Sequence, residues 1–282
     1  MPLGVFDSGL GGLTAVRELR RVLPGEDIVY FGDTGRVPYG TKGREVIISY
    51  ARQDIAFLLS RDVKTLLAAC GTVSSTFPAA EGDALPAPYL GVVGPTTEAA
   101  ARATKNGRVG IIGTEATIAS GSYKAALEPL CPGVETVGAA CPLFVPLVEN
   151  GHFAPGDPLV ELTVVEYLAP LKAAGVDTLI LGCTHYPLLA GAIGAYMGPD
   201  VTLIDSGRQA ALALKARLEA QNLLNPRQSG GATAYYVSDA PERFSRLAAI
   251  LLGDENPGAA TQITIEKYDL RWIRKGYRPA TD

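Results

Sequence analysis

Val63-Lys64-Thr65-Leu66-Leu67-Ala68-Ala69-Cys70-Gly71-Thr72 and Val176-Asp177-Thr178-Leu179-Ile180-Leu181-Gly182-Cys183-Thr184-His185 are two versions of one pattern. Each is a short apolar run that ends at a thiol followed by a glycine or hydroxyl residue. A continuous apolar run of four to eight residues fits a strand buried on both faces, as in a parallel sheet. Two of the chain's four cysteines thus hold equivalent places in an internal repeat. Thiols presented by equivalent strand ends can face one small molecule from opposite sides, the geometry of a two-base proton transfer.

The repeat extends outward from these runs. Gly4-Val5-Phe6-Asp7-Ser8-Gly9 opens the chain, and Val109-Gly110-Ile111-Ile112-Gly113-Thr114 opens a second segment at nearly the offset that separates Cys70 from Cys183. Strands are predicted over residues 4–6, 28–32, 65–69, 89–93, 109–112, 136–139, 178–181, 201–204 and 234–237. Helices are predicted over 14–22, 44–60, 95–104, 120–130, 159–173 and 208–220. This alternation predicts an α/β protein with mainly parallel sheets, and the repeat predicts two similar, pseudo-symmetric domains. Beyond Ile204-Asp205-Ser206-Gly207 the chain is expected to return to the first domain. The expected division is 1–94 plus 208–282, and 95–207.

The 282-residue chain has a hydrophobic content of 47%, which marks a packed globular protein. Its formal net charge of −4 argues against nucleic acid or an anionic membrane as a partner. The basic residues Lys267, Arg271, Arg274, Lys275 and Arg278 are interspersed with acids and read as a solvated surface. No apolar stretch is long enough to span a bilayer, and no signal peptide is expected. The cysteines form no CxxC pair, so neither a disulfide framework nor a zinc site is expected, and a reducing cytoplasm is the natural setting.

A strand end that enters a helix N-terminus lowers a thiol pKa, and both Cys70 and Cys183 have that context. Cys131 and Cys141, each followed by proline, read as ordinary small residues. Asp7 ends a strand ahead of a glycine-rich turn, Ser8 to Gly12. It lacks the phosphate-loop patterns, so its carboxylate is read either as an acid/base partner or as a helix cap. His185, two residues past the second thiol, can polarise it or hold a proton. A cysteine–histidine hydrolase is the competing reading, but it leaves Cys70 without a role. His152 reads as a surface residue.

At these residues, and at Tyr30-Phe31-Gly32-Asp33-Thr34, Val37-Pro38-Tyr39-Gly40, Gly113-Thr114-Glu115-Ala116-Thr117-Ile118, Pro146-Leu147-Val148-Glu149-Asn150-Gly151 and Leu181-Gly182-Cys183-Thr184-His185-Tyr186-Pro187, the chain resembles the cofactor-independent aspartate/glutamate racemase family, its glutamate-specific members in particular. The matches run in order from about residue 3 to 207. The resemblance implies an active site in the cleft between the two domains and interconversion of L- and D-glutamate, with supply of D-glutamate to peptidoglycan. It makes Cys70 and Cys183 the bases on opposite faces of the α-carbon, Cys70 toward D-glutamate and Cys183 toward L-glutamate. It assigns Asp7, Glu149 and His185 as auxiliary acid/base groups. Asp7, Ser8, Tyr39, Gly40, Gly71, Thr72, Thr117, Thr184 and His185 fall at substrate-binding positions. No cofactor and no metal are implied. The expected partners are a glutamate-like amino acid and a second copy of the chain, as a homodimer.

One position departs from the pattern. The family usually reads Cys-Asn-Thr at the first thiol, and this chain reads Cys70-Gly71-Thr72. A lost hydrogen bond to a charged group is worth about 1.5–3 kcal/mol. Two alternatives therefore stand beside glutamate racemisation: action on another amino acid or dicarboxylate, and a weakly catalytic binding or regulatory protein. Restoring asparagine at residue 71 is the most informative single substitution, since a large gain in glutamate racemisation would show that this one side chain limits the function. Residues 253–282 are expected to be an appended helix or interface.

Overall fold

The computed structural model describes residues 1–253 and 258–273, with residues 272 and 273 in backbone only. Among the described residues, ten strands fall in two sheets. The first strands of the chain, β1 (Leu3–Asp7), β2 (Ile28–Gly32) and β3 (Thr65–Ala68), are buried throughout. With the short β4 (Tyr89–Gly91) they form one parallel sheet. The second sheet holds β5 (Arg108–Gly113), β6 (Glu135–Ala140), β7 (Thr178–Leu181) and β8 (Thr202–Asp205), also parallel. Its order, β6-β5-β7-β8, repeats the order β2-β1-β3-β4. The pseudo-symmetric α/β architecture expected from the twin cysteine runs is therefore present.

The first sheet is larger, because β9 (Thr233–Val237) pairs with β2 and β10 (Ala260–Gln262) extends the edge. The helices are α1 (Leu13–Val22), α2 (Arg44–Ser60), α3 (Gly71–Thr76), α4 (Ala79–Asp83), α5 (Val93–Ala103), α6 (Glu115–Ser120), α7 (Ser122–Leu127), α8 (Phe144–Glu149), α9 (Pro158–Ala173), α10 (Ala190–Met197), α11 (Ser206–Ala220), α12 (Pro241–Leu252) and α13 (Leu270–Ile273). The helix expected over 120–130 is the shorter α7, and the separate α6 precedes it. Gly121 adopts φ 65°, a left-handed conformation that ends α6 and redirects the chain into α7. No described helix is long and apolar enough to cross a membrane.

Residues 258–270 are not an appendage. Ile263, Ile265, Tyr268 and Leu270 are buried in the apolar layer between α2 and the first sheet, where Tyr268 meets the Phe57 ring edge-on at 5.2 Å. The segment closes a core that would otherwise face water. Arg274, Lys275 and Arg278, read above as surface charges, lie outside the described residues.

Candidate active site

Parallel α/β sheets offer ligands the crevice beyond the carboxyl ends of their strands, where neighbouring connections run to opposite sides. Here two such crevices face each other. The chain leaves β3 at Cys70, which caps α3, and leaves β7 at Gly182-Cys183-Thr184-His185. The expected likeness of the two turns is incomplete, since Cys183 leads into the short 3-10 turn Tyr186–Leu189 and α10 begins only at Ala190.

Both thiols line one cavity of about 410 Å³. Ser8, Tyr39, Gly40, Gly71 and Thr72 line it from the first sheet's side, and Glu149, Thr184 and His185 from the second. The remaining expected residues lie one layer back. Asp7 is buried beneath Cys70, and Thr117 hydrogen-bonds Thr114, which itself faces the cavity. Tyr39 lines the cavity, but its hydroxyl turns away from it. That group donates to Asp33 Oδ2 and reaches Asp54 Oδ2 at 3.2 Å. Tyr39 thus offers the cavity its ring as a wall, while its hydroxyl is engaged by Asp33 and Asp54. His152 lies outside the cavity, 2.8 Å from Asp157.

Several lining residues escaped the sequence reading. Thr114, Glu115 and Cys141 reach the cavity, and Pro142, Val145 and Pro146 form an apolar wall. Thr114 carried a signal, since a threonine three residues before Thr117 is a helix cap, and it accepts from the Thr117 amide at 3.2 Å. Cys141-Pro142 carried none beyond its place after β6.

The two thiols have different surroundings. Cys70 donates to Ser8 Oγ at 3.4 Å. Against the lowering expected from its place at the start of α3, burial, then the Asp7 carboxylate, push its pKa up to about 12, so this sulfur holds its proton. Asp7 Oδ2 accepts from the Gly9 amide at 3.1 Å, and burial raises its own pKa against the pull of His185. Tyr30 fixes the same turn by donating to the Gly9 carbonyl at 2.8 Å.

On the other side His185 lies between a thiol and a carboxylate. Its Nδ1 is 3.9 Å from Cys183 Sγ, and its Nε2 is 3.0 Å from Glu149 Oε1. Burial opposes a charge on the ring, yet Cys183 and Glu149 together push its pKa up to about 10. An imidazolium beside a thiol stabilises negative charge on the sulfur. One face therefore carries a protonated thiol over a carboxylate, and the other a thiol paired with a cation.

Among the described residues, His185 is the one basic side chain lining the cavity. Anionic groups on a ligand must be held by hydroxyls and backbone amides. Among the described residues no group of three or more His, Cys, Asp or Glu side chains could hold a metal ion.

The lobes touch around the cavity. Thr72 and Thr114 hydroxyls meet at 2.9 Å, and Thr14 Oγ1 donates to the Thr184 carbonyl at 2.8 Å. Gly71 belongs to this seam. A Cβ at residue 71 would lie 2.0 Å from the Gly182 carbonyl oxygen. This arrangement has no room for a side chain at residue 71, asparagine included, unless the two turns part.

The sequence profile of the Asp/Glu/Hydantoin racemase family matches residues 14–214. A glutamate racemase of Geobacter metallireducens is 45% identical over 264 residues, covering 94% of this chain and 97% of the relative. One of Syntrophus aciditrophicus is 44% identical over 257 residues, covering 91% and 94%. Among solved structures, glutamate racemase from Thermus thermophilus in complex with β-chloro-D-alanine superposes with a TM-score of 0.84 at 43% identity, covering 94% of this chain and 98% of that one. The Francisella tularensis enzyme in complex with D-glutamate gives a TM-score of 0.86 at 36% identity, covering 95% and 98%.

Proposed function

The chain belongs to the Asp/Glu/Hydantoin racemase family, and we propose that it is an isomerase that interconverts L- and D-glutamate by proton transfer between two cysteines. The observation that carries this reading is that Cys70 and Cys183, from equivalent strand ends of two sheets, line one small cavity. Toward L-glutamate, Cys183 as thiolate removes the α-proton while the His185 cation holds the charge nearby. The electron pair left on the α-carbon then takes the proton of Cys70 on the opposite face. This leaves Cys183 protonated and Cys70 as thiolate over Asp7, and the D-glutamate direction runs the same steps backward. Ser8, Thr72, Thr114 and Thr184, with neighbouring amides, would hold the carboxylates and amino group.

The relatives that match over nearly the full chain are glutamate racemases, so neither a different substrate nor a pure binding role is favoured. The D-glutamate so formed would supply peptidoglycan. The lobes divide near residues 94 and 207. Four free cysteines suit a cytoplasmic setting. The exposed stripe of Leu159, Leu162 and Val165 on α9 is a surface for a homodimer. The central test is incubation with L-glutamate in deuterated water, followed by circular dichroism and α-proton exchange. Inversion with deuterium at the α-carbon is expected. Absence of both at high enzyme concentration refutes the function.

A further inference from the structure

Glycines cluster where the lobes meet, and their opposing atoms differ in kind. A Cβ at Gly11 would lie 2.2 Å from Thr184 Oγ1 and 2.4 Å from His185 Cε1, both side-chain atoms. A Cβ at Gly71 would meet main chain: the Gly182 oxygen at 2.0 Å and its carbonyl carbon at 3.1 Å. Neither side of this contact can give way locally. Gly182 is held in the second sheet by its amide, which donates to the Ile112 carbonyl at 2.8 Å. Gly71 opens α3, whose first turn is closed by the Ser74 amide on the Cys70 carbonyl at 2.9 Å. On the strand side, the Ala69 amide bonds the Phe6 carbonyl at 2.9 Å. Relief must come from movement of one lobe against the other.

We propose that Gly71 is a positioning residue whose missing side chain sets how far the cleft closes and so how closely Cys70 and Cys183 flank the substrate. The proposal rests on the two-thiol reading above. Residues 70 and 71 are adjacent, as are 182 and 183, so the backbone contact lies beside both sulfurs. A side chain at 71 would part the turns by about 1 Å before the contact reached the closest separation that real Cβ atoms adopt. The same movement would stretch the Thr72–Thr114 and Thr14–Thr184 bonds, now 2.9 and 2.8 Å, past ordinary hydrogen-bond reach. Substrate would still enter an opened cleft. The two thiols would no longer both reach its α-carbon, and misplacement by about 1 Å can cost roughly 10²-fold in rate.

The test compares the full-length wild type with Gly71→Ala by three measurements. Racemisation is followed in both directions, alkylation of Cys70 and Cys183 by iodoacetamide is mapped by peptide mass spectrometry, and thermal melting is recorded. The expected variant folds and melts slightly below wild type, as the two stretched hydrogen bonds require, loses kcat by about 10²-fold with little change in KM, and alkylates faster at the two cavity thiols. Wild-type kcat in the variant overturns the proposal. So does a fall in kcat without faster alkylation, which would place the damage at α3 alone. A variant that fails to fold also overturns it, since the contact would then belong to the core and not to a cleft that opens. If wild type does not racemise glutamate, the two-thiol reading fails, and the alkylation comparison still decides whether Gly71 governs closure.

Discussion

Replacing Glu149 by glutamine removes the charge at the outer end of the Cys183–His185–Glu149 line and keeps an acceptor for Nε2. A hydrogen bond to a charged group contributes about 1.5–3 kcal/mol. The Glu149 side chain is 40% exposed, against 8% for His185, so solvent screening reduces this to about 1–1.5 kcal/mol. The His185 pKa, now about 10, should then fall by about one unit, and catalysis by roughly 5–10-fold. Enantiomers have equal free energies in water, so the equilibrium constant is unity. The loss in kcat/KM must therefore be identical from L- and from D-glutamate, although the residue serves only one thiol. The asymmetry appears in isotope effects. With α-deuterated L-glutamate, removal by Cys183 becomes more rate-limiting and the isotope effect on kcat/KM rises. With α-deuterated D-glutamate it falls. Steady-state circular dichroism on the four labelled and unlabelled substrates measures all of this. Unchanged rates and isotope effects, or a rise confined to D-glutamate, would refute the assignment of Glu149 and His185 to the Cys183 side.

Three further expectations follow from other parts of the molecule. His185 binds its proton more tightly folded than unfolded, so its contribution to stability is fully present below the ordinary histidine pKa of 6.5 and is lost as pH rises through about 10; melting temperatures should decline across that window, and a flat profile refutes the paired imidazolium. Arg36 lies 2.6 Å from Asp33 and 3.0 Å from Asp54, both buried, and Arg36→Ala should cost about 3–5 kcal/mol in urea unfolding because it leaves buried charge uncompensated; a loss under about 1 kcal/mol would mean that the carboxylates do not depend on it. A chain stopped after Gly253 removes four buried side chains, Ile263, Ile265, Tyr268 and Leu270, worth together at least about 6 kcal/mol; it should aggregate or melt far below wild type, and wild-type melting would show that the segment is dispensable.

The sequence exposes those features whose causes are local. The runs at β1, β2 and β7 are apolar enough to be strands anywhere, and the twin cysteines mark the site because each thiol directly ends such a run. Ala260-Thr261-Gln262 is short and partly polar; it is a strand only because β9 offers a free edge. α10, with the sequence Ala-Gly-Ala-Ile-Gly-Ala-Tyr-Met, carries two glycines that mask its helical period. Tyr39 could be assigned to the cavity from its neighbours, but its hydroxyl direction depends on Asp33 and on Asp54 from α2, which the fold brings together. The packing around Gly71 is hidden from the sequence in the same way. Its limit is a carbonyl more than a hundred residues away, which no local pattern encodes.

The order of strands in the larger sheet also dictates when each half can form. The strands of the second sheet occupy one contiguous stretch, Arg108 to Asp205, and can complete their pairing as soon as that stretch is available. The first sheet cannot. Its β2 exposes an unpaired edge until β9 arrives, with Ile28 waiting for Thr233. During synthesis the amino-terminal strands are therefore made first and finished last. An open edge of Ile-Val-Tyr-Phe is a site for unwanted pairing with other chains, so the interval before residues 233–237 emerge is when this protein most needs protection from aggregation.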